Sequence, residues 1–236
     1  MSLAYRFAPH EIDEEAADRA LEQARAAGVD VTAPTARLLV ATLGAAGAAV
    51  LPALLRQPAL AQTLSDELAA HDTIAPARCP ALAPRGTHET PDLDVVKRAL
   101  RRTRDEALVR TALRELLAVV DVDATAREWS RVAACCTEHA LAAAEDATEA
   151  RNGPPLDDRG ERCVFTVLGM GKLGGSELNL GSDIDICFFY ATDEGAAGTR
   201  TLNQHFGRVG TTLFDLLGDV TADGFAFRVD LRLRPE

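Results

Sequence analysis

Two short stretches of this chain hold residues that could do chemistry on phosphate esters. One is Ser182-Asp183-Ile184-Asp185; the other is Phe227-Arg228-Val229-Asp230-Leu231-Arg232-Leu233-Arg234. Both alternate polar and apolar side chains, the period of a half-buried strand. Asp183 and Asp185 are two apart and project from one face, while Ile184, Ile186 and Phe188 point to a core. In the later run Phe227, Val229, Leu231 and Leu233 share one face, and Arg228, Asp230, Arg232 and Arg234 share the other. If the two strands are neighbours, three carboxylates converge at one mouth of a sheet. Clustered carboxylates repel and raise one another's pKa unless a cation neutralises them. Magnesium does so, and it bridges carboxylate oxygens to nucleotide phosphates. A pair of such ions activates an incoming oxygen and stabilises a leaving one. Asp183, Asp185 and Asp230 are therefore expected to be catalytic metal ligands for Mg2+.

Upstream lies Gly169-Met-Gly-Lys-Leu-Gly-Gly175, followed by Gly181-Ser182. Glycine amides can cradle phosphate oxygens. Gly174, Gly175, Gly181, the Ser182 hydroxyl and the Lys172 ammonium are candidate phosphate contacts, although Lys172 and Ser182 fit a plain loop surface equally well. Arg228, Arg232 and Arg234 form a candidate phosphate-holding ladder, because guanidinium forks match phosphate oxygens. A ladder of arginines that only protects a strand edge is the competing reading. A lone Asp-x-Asp is commonly a solvated strand edge; the preceding Gly-Ser and the distant Val-Asp-Leu turn the balance toward a site. The glycine run also contains a GxGxxG after a strand, the signature of a dinucleotide fold. Gly175, Asn179 and Gly181 interrupt the helix that such a fold needs, so this reading is set aside. Glu177 reads as a helix-start residue and His205 as a packed or solvated histidine. His10, His71, His88 and His139 have no ligand spacing. The basic run Arg98 to Arg104 reads as a solvated helix face. Cys187 shares the face of Asp185, but nothing marks it as a nucleophile.

The elements that must position these residues follow from periodicity. Glu11 to Ala27 is predicted helical, with an acidic first turn and Gly28 at the C-cap. Helices follow over Thr35–Leu43, Ala48–Arg56, Leu60–Ala70 and Val95–Val119, with a loop from His71 to Asp94. Thr125 and Glu128 have the spacing of a capping box, ahead of a stripe through Trp129, Val132, Ala133, Cys136 and Ala140. Residues 151–161 are turn-rich and read as a linker. Strands are expected at Cys163–Leu168, Ile184–Tyr190 and Phe225–Leu233. An amphipathic helix at Thr199–Leu217 buries Leu202, Phe206, Val209, Leu213, Phe214 and Leu217. The fold class is thus α+β: an all-helical region over 1–150, a linker over 151–161, and an α/β catalytic core over 162–236.

Bulk properties narrow the partners. The 236 residues are 47% apolar and carry a net charge of −11, so nucleic acid is a poor partner and a folded core is expected. Cys79, Cys135, Cys136, Cys163 and Cys187 are an odd set without CxxC spacing. That counts against zinc and for reduced thiols in a cytoplasmic setting. The N-terminus has no apolar segment of a secretory signal, and Leu38 to Leu55 reads as a buried helix pair, not a membrane span.

The blocks GMGKLGGSELNLGSDIDICFFY and RVDLRLRP resemble the motifs of the glutamine synthetase adenylyltransferase/adenylyl-removing enzymes, within the polymerase-β-like nucleotidyltransferases. Ala48 to Leu68 and Leu108 to Val122 also look similar to the helical region of that family. The resemblance implies two transferase domains in one long polypeptide. The first removes AMP from a tyrosine of glutamine synthetase by phosphorolysis, giving ADP, and the second adds AMP from ATP, under control of PII signal proteins and glutamine. A long helical lead-in resembles the removing half. It also implies that a chain ending at Pro235-Glu236 is a fragment lacking part of its site, inactive alone, and that Asp183, Asp185 and Asp230 hold metal while Gly181-Ser182 hold phosphate. Two other readings stay open: a transferase for another acceptor, such as PII, and a helical docking module whose site is silent.

Overall fold

The structure is a computed structural model and describes residues 13–45, 50–79 and 90–230. The chain opens with four helices, α1 (Glu14–Ala26), α2 (Pro34–Ala45), α3 (Leu51–Leu55) and α4 (Pro58–His71). Two long helices follow, α5 (Leu93–Leu116) and α6 (Val122–Asn152). The remainder is β1 (Leu156–Asp157), β2 (Phe165–Gly169), the short α7 (Gly171–Gly174), β3 (Ile184–Tyr190), β4 (Gly195–Ala197), β5 (Arg200–Thr201), α8 (Leu202–Gly218) and β6 (Val229–Asp230). This is the α+β composition expected. The described residues form two compact units that interleave along the chain. The first takes residues up to Arg78, Arg104–Val132 and Asn179–Gly181; the second takes the rest.

In the first unit local chemistry sets the helix ends. Asp13 caps α1 by accepting from the Ala16 N–H at 3.0 Å, beside the acidic pair Glu14 and Glu15. At the other end the Gly28 N–H reaches the Arg25 carbonyl and the Val29 N–H reaches the Ala24 carbonyl, so Gly28 closes the helix where the pattern placed it. Ala17, Ala20, Leu21 and Ala24 are the buried face of α1. A Cβ on Gly44 of α2 would lie 2.3 Å from the Ala20 Cβ, so α1 and α2 approach closely only because residue 44 has no side chain. Leu39, Val40 and Leu43 of α2 and Leu64 of α4 complete this core. Arg110 donates a fork to Glu67 at 2.8 and 2.9 Å, and the guanidinium holds the Glu67 carboxyl below its ordinary range.

The capping box expected at Thr125 and Glu128 does not form. The helix starts earlier, at Val122, where Asp121 accepts from the Ala124 N–H at 2.8 Å. Glu128 instead turns inward and is buried, accepting from the Ala77 N–H and the Thr111 hydroxyl. A buried carboxylate with donors already aimed at it outweighs a surface cap.

In the second unit β2, β3 and β6 form one sheet, with β3 in the centre, antiparallel to β2 and parallel to β6. A smaller antiparallel sheet, β1-β4-β5, takes its first strand from the stretch read as linker. Helix α8 covers the main sheet. Thr201 and Gln204 make its capping box, and Leu202, Phe206, Val209, Leu213 and Leu217 are buried as expected. Phe165 of β2 stacks on Phe206 at 5.3 Å, and Tyr190 of β3 lies 4.9 Å from the same ring. Phe214, expected on the buried side, is exposed: it faces outward one residue past Leu213.

Arg101 corrects the reading of the basic run as a solvated face. It is fully buried in this unit. Its guanidinium donates to the carbonyls of Leu216 and Gly224 at 3.0 and 2.9 Å, to Asp219, and to Lys97 one turn back. Four carbonyl acceptors make burial of this cation tolerable, and they fix the end of α8 and the turn leading to β6.

Candidate active site

The site begins with a register. In the parallel pair, Ile184 of β3 stands opposite Val229 of β6, and Asp185 opposite Asp230. Paired residues in a ladder share a face, so the Asp185 and Asp230 side chains leave the sheet on the same side. The opposite face is dry: Ile184 and Ile186 are fully buried. The ladder continues one step back, where the Ile184 N–H donates to the Arg228 carbonyl at 2.9 Å. This step brings Asp183 beside Arg228, whose Nε donates to the Asp183 Oδ1 at 2.6 Å. The Arg228 guanidinium also lies 5.8 Å from the centre of the Phe225 ring. Asp183 and Arg228 are exposed, and Asp185 and Asp230 are half-buried.

The turn between β2 and α7 closes against these carboxylates. The Met170 N–H donates to the Asp185 carbonyl at 2.8 Å. Gly171 has φ +51, and a Cβ built on it would stand 2.8 Å from the Asp185 Oδ2. Backbone therefore lies directly against the carboxylate in a place that admits no side chain. The sequence reading gave Gly171 no role of its own; its signal was the second glycine of a run that enters a turn after a strand. Gly174, read as a phosphate contact, is required for another reason: its Cβ would lie 2.6 Å from the Gly169 carbonyl oxygen.

The other expected residues lie as follows. Lys172 is exposed on α7, a single turn that ends at Gly174, so no longer helix follows the GxGxxG. Gly175 follows it, exposed, and a Cβ there would meet the Glu177 carboxyl at 3.5 Å and the Gly171 carbonyl oxygen at 3.6 Å, an ordinary van der Waals contact. Gly181 takes φ +79, and Ser182 is half-buried. Glu177 does not open a helix; it sits in the irregular segment after α7, its N–H bonded to the Lys172 carbonyl. Arg232 and Arg234 lie outside the described residues.

Asp183, Asp185 and Asp230 are carried on adjoining steps of the β3–β6 ladder, and with one guanidinium on Asp183 the group keeps surplus negative charge. All its donors are oxygens. That is the ligand chemistry of a hard divalent cation, and it fits Mg2+ and not a soft metal.

The cysteines depart from expectation. Cys79 and Cys135 are joined as a disulfide, while Cys136, Cys163 and Cys187 are free. The cause is topological: the segment ending at Cys79 runs alongside α6, a proximity that spacing in sequence does not reveal.

Comparison with known proteins places the chain. Residues 37–236 match the family model described as glutamate-ammonia ligase adenylyltransferase, and the chain belongs to this family of nucleotidyltransferases. It is 40% identical over 185 residues to a bifunctional glutamine synthetase adenylyltransferase/adenylyl-removing enzyme of Burkholderia pseudomallei, covering 76% of this chain and 20% of the relative. Enzymes of the same description from Xanthomonas oryzae and Stenotrophomonas maltophilia are 38% and 37% identical, over 78% and 84% of this chain and 19% and 20% of theirs. The chain thus spans about a fifth of the length of the curated relatives it matches.

Proposed function

We propose that this chain supplies the catalytic strands of a magnesium-dependent nucleotidyltransferase that removes AMP from an adenylylated tyrosine of glutamine synthetase. The observation that carries this reading is the in-register pairing of Asp185 with Asp230, with Asp183 held by Arg228 one step back along the same ladder. Asp183, Asp185 and Asp230 would hold the magnesium, which when bound neutralises the phosphates and activates the attacking oxygen. The remaining chemistry falls to the chain. Amides of the Gly169–Gly175 turn and the Ser182 hydroxyl orient phosphate oxygens, with Gly181 shaping the approach and Lys172 adding charge. Arg228, Arg232 and Arg234 offset the repulsion between inorganic phosphate and the AMP ester. An oxygen of inorganic phosphate attacks the AMP phosphorus, the bond from phosphorus to the tyrosyl oxygen breaks, and the tyrosyl oxygen leaves and takes up a proton. The products are ADP and free tyrosine side chain. Joined to an adenylating activity elsewhere in the polypeptide, this reaction would regulate nitrogen assimilation in the cytoplasm, with ATP as donor for the reverse modification and PII as the regulatory partner.

The test is an assay of the complete enzyme with adenylylated glutamine synthetase, inorganic phosphate and Mg2+. ADP should form in wild type and fall by at least about a hundredfold in Asp230→Asn, a loss on the scale of removing one charge-stabilising group from an active site. Absence of ADP from the wild-type reaction would overturn the removing direction. An Asp230→Asn variant with full turnover would overturn the site.

A further inference from the structure

The strongest feature outside the carboxylate site is a cluster on α6. Cys135 and His139 are four residues apart on this helix, so they lie on one face, one turn apart. Cys79 approaches that face from the preceding segment, its Cα 6.2 Å from that of Cys135. The two sulfurs and one imidazole nitrogen all lie within 4.8 Å of one another. Donors on a single tetrahedral zinc ion, at about 2.3 Å for sulfur and about 2.0 Å for nitrogen, are separated by about 3.5–3.8 Å. All three donors are therefore within reach of one such ion once the bond between the two sulfurs is opened, two of them on one helix, with Cys79 exposed and Cys135 buried.

We propose that Cys79, Cys135 and His139, in the reduced protein, form a binding site for a thiophilic divalent cation of the zinc class. The donor set is two sulfurs and one nitrogen with no carboxylate. This selects a borderline-soft ion such as Zn2+ over the hard Mg2+ suited to Asp183, Asp185 and Asp230. Cys136, next to Cys135, points instead into the core, being 1% exposed, and takes no part. The disulfide is the alternative state of the same pair. Its opening takes two electrons from a dithiol, which also supplies the two protons, or from a phosphine, which is oxidised to its oxide while water supplies the oxygen and both protons; metal binding then releases the two thiol protons to solvent. Metal and disulfide are mutually exclusive, since each uses both sulfurs.

The test uses the full chain, reduced with a phosphine, freed of reductant and titrated with Co2+ without oxygen. One equivalent should give the thiolate-to-cobalt charge-transfer band and the visible bands of a tetrahedral ion, and Zn2+ should displace it. Cys79→Ser and His139→Asn should each weaken Zn2+ binding, read by competition with a chromophoric chelator, by at least about a hundredfold. Cys136→Ser should bind as wild type, and the oxidised chain should not bind. Far-ultraviolet circular dichroism checks that each variant is folded. No cobalt spectrum from the reduced wild type overturns the site, as does equal affinity in the oxidised chain. A loss in Cys136→Ser that equals the loss in Cys79→Ser overturns the ligand assignment.

Discussion

The outward placement of Asp183 and Asp185 was legible because a strand's period of two leaves little freedom. Once Asp185 is placed outward, Asp183 follows, and Ile184 and Ile186 must fill the core. What the period cannot give is the partner of each charge. Arg228 was read as a phosphate contact, and it rests on Asp183 here. Gly171 was invisible as an individual because every residue of a glycine run looks alike until the turn is folded. Two expectations belong to this scale. Asp185→Asn keeps size and loses charge, so the complete enzyme should fold normally and lose at least about a hundredfold in activity, checked by ADP formation beside a thermal melt. Gly171→Ala places a methyl group on the Asp185 oxygen at a left-handed φ. It should cost about 1–3 kcal/mol in the turn, read by denaturant unfolding, and lower activity even where the fold persists.

Among the elements, the lengths and buried faces of helices came from periodicity with small error; α8 runs over Leu202–Gly218 where Thr199–Leu217 was expected. Ends and ties were harder. Thr125 and Glu128 mimicked a cap because the spacing of a capping box also suits a mid-helix threonine and an inward carboxylate. Arg101 looked solvated because three of its four carbonyl acceptors come from a segment more than a hundred residues away. That guanidinium connects α5 to the end of α8. Ala226 and Phe227 then bond to the Leu217 carbonyl just before β6 presents Asp230. Arg101→Met should destabilise the protein by about 2–3 kcal/mol, since it leaves buried carbonyls unpaired, measurable by denaturant unfolding. His205 on α8 gives a pH signature. It is buried, its Nδ1 has no hydrogen-bond partner among the described residues, and desolvation lowers its pKa below the ordinary 6.5. The unfolded chain therefore takes up a proton as pH falls through about 6.5 while the folded chain does not, so stability falls on that side and is intact above it. The slope contributed is at most about 1.4 kcal/mol per pH unit, and His205→Phe should flatten the melting temperature between about pH 7.5 and about pH 5.5.

For the whole molecule, composition excluded more than it specified. A net charge of −11 argued against nucleic acid, and no helix among the described residues is long and apolar enough to cross a membrane. The interleaving of the two units was not readable, because α5 and α6 each contribute to both and a continuous helical pattern carries no mark of where its packing partners change. The pairing of Cys79 with Cys135 was hidden for the same reason. Family membership was legible, because the two motif blocks are long and include the paired residues of β3 and β6.

The central claim is that Asp183, Asp185 and Asp230 form one divalent-cation site, and direct binding tests it without requiring turnover. Mn2+ can stand in for Mg2+ on oxygen ligands, and its free-ion paramagnetic resonance signal disappears on binding. Titration of the complete enzyme should remove that signal, and Asp185→Asn and Asp230→Asn, each folded as judged by circular dichroism, should both restore most of it. Equal Mn2+ binding by wild type and both variants would contradict the account.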